Sequence, residues 1–165
     1  MKQFISTILI SLFFSSCGIY SFTGASIPIN AKTVSVSNFI TSTTNSPAIL
    51  NQIITEGLKD LFLSQTNLTL TDREGDLNFS GEITKYQISP IAIQANETAE
   101  KNRLTIKIKV KYVNNFDEKQ NFETTFSRYS DFNSSDNLTE IENILIEKIS
   151  SEIIEDVFNE AFVNW

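Results

Sequence analysis

Asn102-Arg103-Leu104-Thr105-Ile106-Lys107-Ile108-Lys109-Val110-Lys111-Tyr112 alternates without a fault. Leu104, Ile106, Ile108, Val110 and Tyr112 are apolar, and the residues between them are Arg103, Thr105 and three lysines. A period of two is the period of a strand, so one row of side chains meets a core and the other meets water. On a helix the same residues would be scattered around the cylinder. The segment predicts a half-buried strand with a cationic outer face, in a sheet covered on one side only.

Forward of it, Asn114-Asn115 opens a turn through Asp117, and Phe122, Thr124, Phe126 and Arg128 form a returning strand, which predicts an antiparallel hairpin over 103–131. Backward, a polar loop at Asn96–Asn102 is preceded by Leu77, Phe79, Gly81 and Ile83 on one strand face. Tyr86 and Ile88 are out of phase with Ile83, so a bulge is expected near Lys85, and Pro90 is expected to end the strand. Leu68 and Leu70 make a short strand before the turn at 72–76, and Lys32 to Phe39 makes another.

Two helices complete the pattern. Ser46-Pro47 is a helix start, and Leu50, Ile53, Ile54, Leu58, Leu61 and Phe62 recur at helical spacing over 47–64. Ser134 to Asn137 offers caps for a final helix in which Leu138, Ile141, Leu145, Ile149, Ile153, Val157 and Ala161 share one stripe. The fold class is α+β: a two-layer sandwich of a mostly antiparallel four- to five-stranded sheet covered by two helices, in one domain over 17–165.

The composition narrows the chemistry. The 165 residues include no histidine and a single cysteine, so zinc clusters, Cys/His pairs, Ser-His-Asp triads and disulfide frameworks are excluded, and no cofactor or metal is expected. A net charge of −7 argues against nucleic acid as a partner. That charge is uneven: residues 17–113 hold nine basic and eight acidic groups, and residues 114–165 hold three and twelve. The acids Asp72, Glu74 and Asp76 offer an enzymatic or cation-binding alternative, against a plain solvated turn beside Gly75.

The cysteine has an informative position. Lys2 precedes an apolar run from Phe4 to Phe14, too short to span a bilayer and fitting a secretory signal at 1–16. Ser15-Ser16-Cys17-Gly18 follows, which resembles the lipobox of bacterial lipoproteins, with Phe14 where leucine is usual. Cys17 is then the expected lipid anchor, and a plain signal peptide with a free thiol is the alternative. An anchor of more than one acyl chain holds a protein stably on a membrane.

Taken together, several segments resemble the LptE family. They are Cys17 to Gly24, Lys32 to Phe39, Leu58-Lys59-Asp60, Gly75 to Ile83, Asn102 to Val110, and Glu155 to Asn159 with Asn164-Trp165. The resemblance covers the whole chain after the signal and rests on no single motif. It implies a non-enzymatic outer-membrane lipoprotein on the periplasmic side, a plug and assembly partner of the LptD β-barrel that contacts lipopolysaccharide in transit. A periplasmic lipid carrier or adaptor is the rival function.

Under that reading, Lys101, Arg103, Lys107, Lys109 and Lys111 are the candidates for lipid A phosphates, with arginine gripping bidentately and lysine as a point charge. The plain alternative is a solvated or edge-guarding face. The acidic final helix is either solvated or a docking surface for basic residues, and Trp165 reads as a packing group.

Overall fold

The computed structural model describes residues 27–91 and 100–163. The expected signal segment 1–16, the expected anchor Cys17, and Trp165 lie outside them. Strands β1 (Thr33–Val36) and β2 (Ile40–Thr41) are followed by helix α1 (Ile49–Gln65), then β3 (Thr69–Leu70), β4 (Leu77–Ile91), β5 (Lys101–Asn114) and β6 (Phe122–Asn133), and finally helix α2 (Leu138–Phe162). The strands form one six-stranded sheet in the order β3-β1-β4-β5-β6, with β2 alongside β4.

Both helices lie on one face of this sheet, as the sequence predicts. Most of its pairing is antiparallel, as expected, but the sheet is mixed and has six strands where four to five are expected. The long ladders β4–β5 and β5–β6 are antiparallel, but β1 runs parallel to β3 and β4, and β2 runs parallel to β4. The reason is the crossover: α1 carries the chain back to the end where β1 began, so β3 can only enter in the same direction as β1. The β6 strand closes the order at one side, and among the described residues its far margin pairs with nothing.

The core forms where the apolar stripes meet. Leu50, Ile54, Leu58 and Phe62 of α1, spaced by four, are fully buried against the sheet, and Ile149, Ile153, Val157, Ala161 and Phe162 of α2 join them. At the centre the rings of Phe62 and Phe79 lie 4.7 Å apart, those of Phe79 and Tyr112 also 4.7 Å, and Phe158 and Phe162 5.2 Å. Truncating one such ring to alanine costs roughly 3–5 kcal/mol. Gly81 is required by the packing, because a β-carbon there would collide with the Phe39 ring and the backbone oxygen of Lys109.

Boundaries differ from expectation in two places. Helix α1 starts at Ile49 rather than 47; Ser46 does not cap it, and the amide of Leu50 bonds the Pro47 carbonyl at 3.0 Å in a turn ahead of it. Strand β4 runs past Pro90 to Ile91. Pro90 pairs with Asn102 on one side, and β1 and β2 stop short of it on the other, so its missing N–H faces an open margin. The final helix is capped by Asn137, whose side chain accepts from the Thr139 amide at 3.2 Å.

Candidate functional site

The alternation in β5 puts Leu104, Ile106, Ile108, Val110 and Tyr112 wholly inside and turns Arg103, Lys107, Lys109 and Lys111 to the uncovered face of the sheet. Antiparallel pairing sets their neighbours in rows across the face. Arg103 lies between Ser89 and Asp131, Thr105 between Gln87 and Tyr129, Lys107 between Lys85 and Ser127, Lys109 between Glu82 and Thr125, and Lys111 between Ser80 and Glu123.

Acids next to the row divide its cations. The Arg103 guanidinium grips Asp131 through two hydrogen bonds, of 2.7 and 2.9 Å, and its Cζ lies 3.7 Å from the centre of the Tyr129 ring. Those bonds hold the Asp131 carboxyl below the ordinary aspartate range and raise the guanidinium. Lys109 is ion-paired with Glu123, which raises the amine and lowers the acid. Lys101 stands at the end of the strand, beside Ile91 and Asn133, and its charge also favours ionised Asp131. Lys111 acts in the same way on Glu123.

Lys107 differs from the other four. Its neighbour across the ladder is a second lysine, Lys85, and among the described residues neither amine is in an ion pair. The bulge delivers this pair. Register shifts between Ile83 and Lys85, Thr84 is the extra residue, and its hydroxyl bonds the Lys107 carbonyl at 3.3 Å. Ile83 and Tyr86 consequently both face the core while Lys85 faces outward. The phase break between Ile83 and Tyr86 predicts the bulge, and the structure adds that the bulge turns Lys85 outward as a sixth cation of the face.

Beyond Lys107 the face becomes concave. Lys111 and Ser80 are shared by two shallow hollows of about 400 and 320 Å³, one running to Ser35, Arg73 and Asn115, the other to Ile40 and Glu123. The arrangement suits an anionic, hydroxyl-bearing ligand: paired amines, a guanidinium stacked on an exposed ring, and serine hydroxyls along both margins.

The other candidates resolve differently. Asp76 uses its carboxylate structurally, accepting from the amides of Lys32 at 2.8 Å and Thr33 at 2.9 Å. Asp72 and Glu74 line the larger hollow without converging on it, and among the described residues no cluster of three acids could hold a metal ion. The space between sheet and helices, where a lipid carrier would keep its ligand, is filled by the packed rings of the core.

The profile of the LptE family, described as lipopolysaccharide-assembly, matches residues 31–161. The chain belongs to the LptE family. That family is non-enzymatic. Among solved structures, this LptE-family chain is similar to rare lipoprotein B from Shewanella oneidensis, at 12% identity over 78% of this chain and 92% of that one, with a TM-score of 0.53. It is also similar to a minor lipoprotein from Acinetobacter baumannii, at 11% identity over 79% and 91% of the two chains, with a TM-score of 0.52. At these identities the likeness shows a shared fold. No curated sequence matches the chain significantly.

Proposed function

We propose that this LptE-family protein is an outer-membrane lipoprotein, anchored through Cys17 on the periplasmic side, that serves as plug and assembly partner of an LptD-like β-barrel and contacts lipopolysaccharide phosphates on its open sheet face. Lipopolysaccharide assembly as the family's task supports the setting. The observation that carries the ligand contact is the Lys85–Lys107 pair, two lysines opposite each other in the ladder, neither of them in an ion pair among the described residues. Like charges on neighbouring strands repel, and a phosphate bound between them would relieve that repulsion. Arg103, Lys109, Lys111 and Lys101 extend the positive field along the same strand. A plug acts through its surfaces, so it needs no catalytic group.

The test is the double variant Lys85→Glu with Lys107→Glu. Both side chains lie on the open face, so the thermal melt should be retained. Capture of lipopolysaccharide should fall by at least about tenfold, since one charge-assisted contact is worth about 1.5 kcal/mol or more. Unchanged capture by a folded variant would remove the ligand contact. The barrel partnership is tested separately, by detergent extraction and affinity capture of the lipidated protein. Failure to recover a large outer-membrane β-barrel would remove that half of the reading.

A further inference from the structure

We propose that the groove between α1 and α2, on the side of the helix layer turned away from the sheet, is a docking site for a protein segment carrying an aliphatic side chain flanked by lysine or arginine. The groove measures about 430 Å³, and Ile53, Leu61 and Ile154 form its apolar floor. Gly57 lies where the helices meet, and a β-carbon on it would stand 2.5 Å from the tip of the Ile154 side chain and displace it across the groove floor. The rim is Asp60, Glu147 and Glu155, and no lysine or arginine lines the groove.

The acids of the helix layer are of two kinds. Glu142 accepts from the Tyr86 hydroxyl at 2.5 Å, Asp156 from the Arg128 guanidinium at 2.6 Å, and Glu140 from the Asn137 side-chain Nδ2 at 2.9 Å. Each of these is spent on holding the fold. Asp60, Glu147, Glu152 and Glu155 have no hydrogen bond or ion pair among the described residues; Glu152 and Glu155 add to the negative field at Arg128, and Asp60, Glu147 and Glu155 are the ones that line the groove. A floor that gains from burying an aliphatic group and a rim that gains from meeting cations select the same partner. An anionic lipid surface is repelled by the rim. A second copy would bring acid against acid. From Ile53 to Ser64 the groove follows α1 for about 16 Å, three turns, the contact length of a short amphipathic segment.

The inference rests on the reading that the chain works against a protein partner in the envelope, and the experiment separates the two. A photo-cross-linking side chain is placed at position 151, exposed on the groove wall, in the full-length lipoprotein in its own membrane; the same group at position 127, on the open sheet face, is the comparison. The adduct from position 151 should map by mass spectrometry to a peptide with lysine or arginine within one helical turn of leucine, isoleucine or valine. Glu147→Lys with Glu155→Lys should cut its yield at least about tenfold, since like charges across an interface cost several kcal/mol. Glu147→Gln with Glu155→Gln should cut it less. A retained melting curve shows that both variants fold.

Absence of an adduct at position 151, an adduct with lipid or with a second copy, or a yield indifferent to charge reversal would overturn the proposal. A barrel recovered by affinity capture without an adduct at 151 removes the groove and leaves the partner. An adduct of the expected composition from a protein other than a barrel keeps the groove and removes the barrel.

Discussion

Asp76 shows how one side chain closes the end of the sheet. Its carboxylate accepts from the amides of Lys32 and Thr33, its own amide donates to the Thr33 hydroxyl at 2.9 Å, and its carbonyl accepts from the Asn115 amide at 3.0 Å. The amide of Lys32 first, then the side chain and amide of Thr33, hold its pKa below the ordinary 3.8. A carboxyl depressed in the folded state adds stability above its unfolded pKa, and that contribution disappears as pH falls through the folded value. Asp76→Asn has no charge to lose. The native protein should therefore exceed the variant in stability at pH 7, and the gap should narrow as pH falls below the ordinary 3.8. Urea midpoints at pH 7 and at a series of pH values below 3.8 check this, and a gap independent of pH would show that the charge contributes nothing.

Among the elements, those with a long uninterrupted period were legible and those set by where the chain is delivered were not. The apolar row of β5 and the stripe of α2 each depend on many residues agreeing. The row is buried position by position, and the stripe is buried from Leu145 onward, while Leu138 and Ile141 at its start are partly buried and Ile146, Ile154 and Phe158 widen it. The bulge near Lys85 was legible for the same reason, since Ile83 and Tyr86 cannot both be buried without an extra residue. Parallel entry of β3 was not, because two residues, Thr69 and Leu70, carry no direction of their own. At the candidate site the row from Arg103 to Lys111 was visible, whereas its division into paired and unpaired cations depends on Glu123 and Asp131 from the next strand. The register of a hairpin partner is a tertiary fact. The cap of α2 gives an element-scale prediction. Asn137→Ala leaves the Thr139 amide without its acceptor and should cost about 0.5–2 kcal/mol of stability, read from chemical denaturation with an unchanged slope.

At the scale of the molecule, charge is sorted by layer. Helix α2 carries seven acids and one lysine, and β5 on the opposite side carries four lysines and one arginine with no acid. The cationic face proposed to meet the glycolipid is exposed, so the proposed attraction is open to screening. Capture of lipopolysaccharide should weaken as salt rises from about 0.1 M to about 1 M, with the Debye length shrinking from roughly 10 Å to 3 Å. Capture that ignores salt would assign the binding to acyl chains instead.

The open margin of β6 has a consequence of a different sort. Twelve residues of edge strand present backbone donors and acceptors with no proline or lysine among them. The charges that could keep another edge away are occupied: Glu123 with Lys109, Arg128 with Asp156, Asp131 with Arg103. Such an edge is a template for a neighbouring chain. For the isolated protein the limiting property is thus colloidal, set by how often two molecules meet edge to edge, and dilution protects it more than any gain in folding free energy.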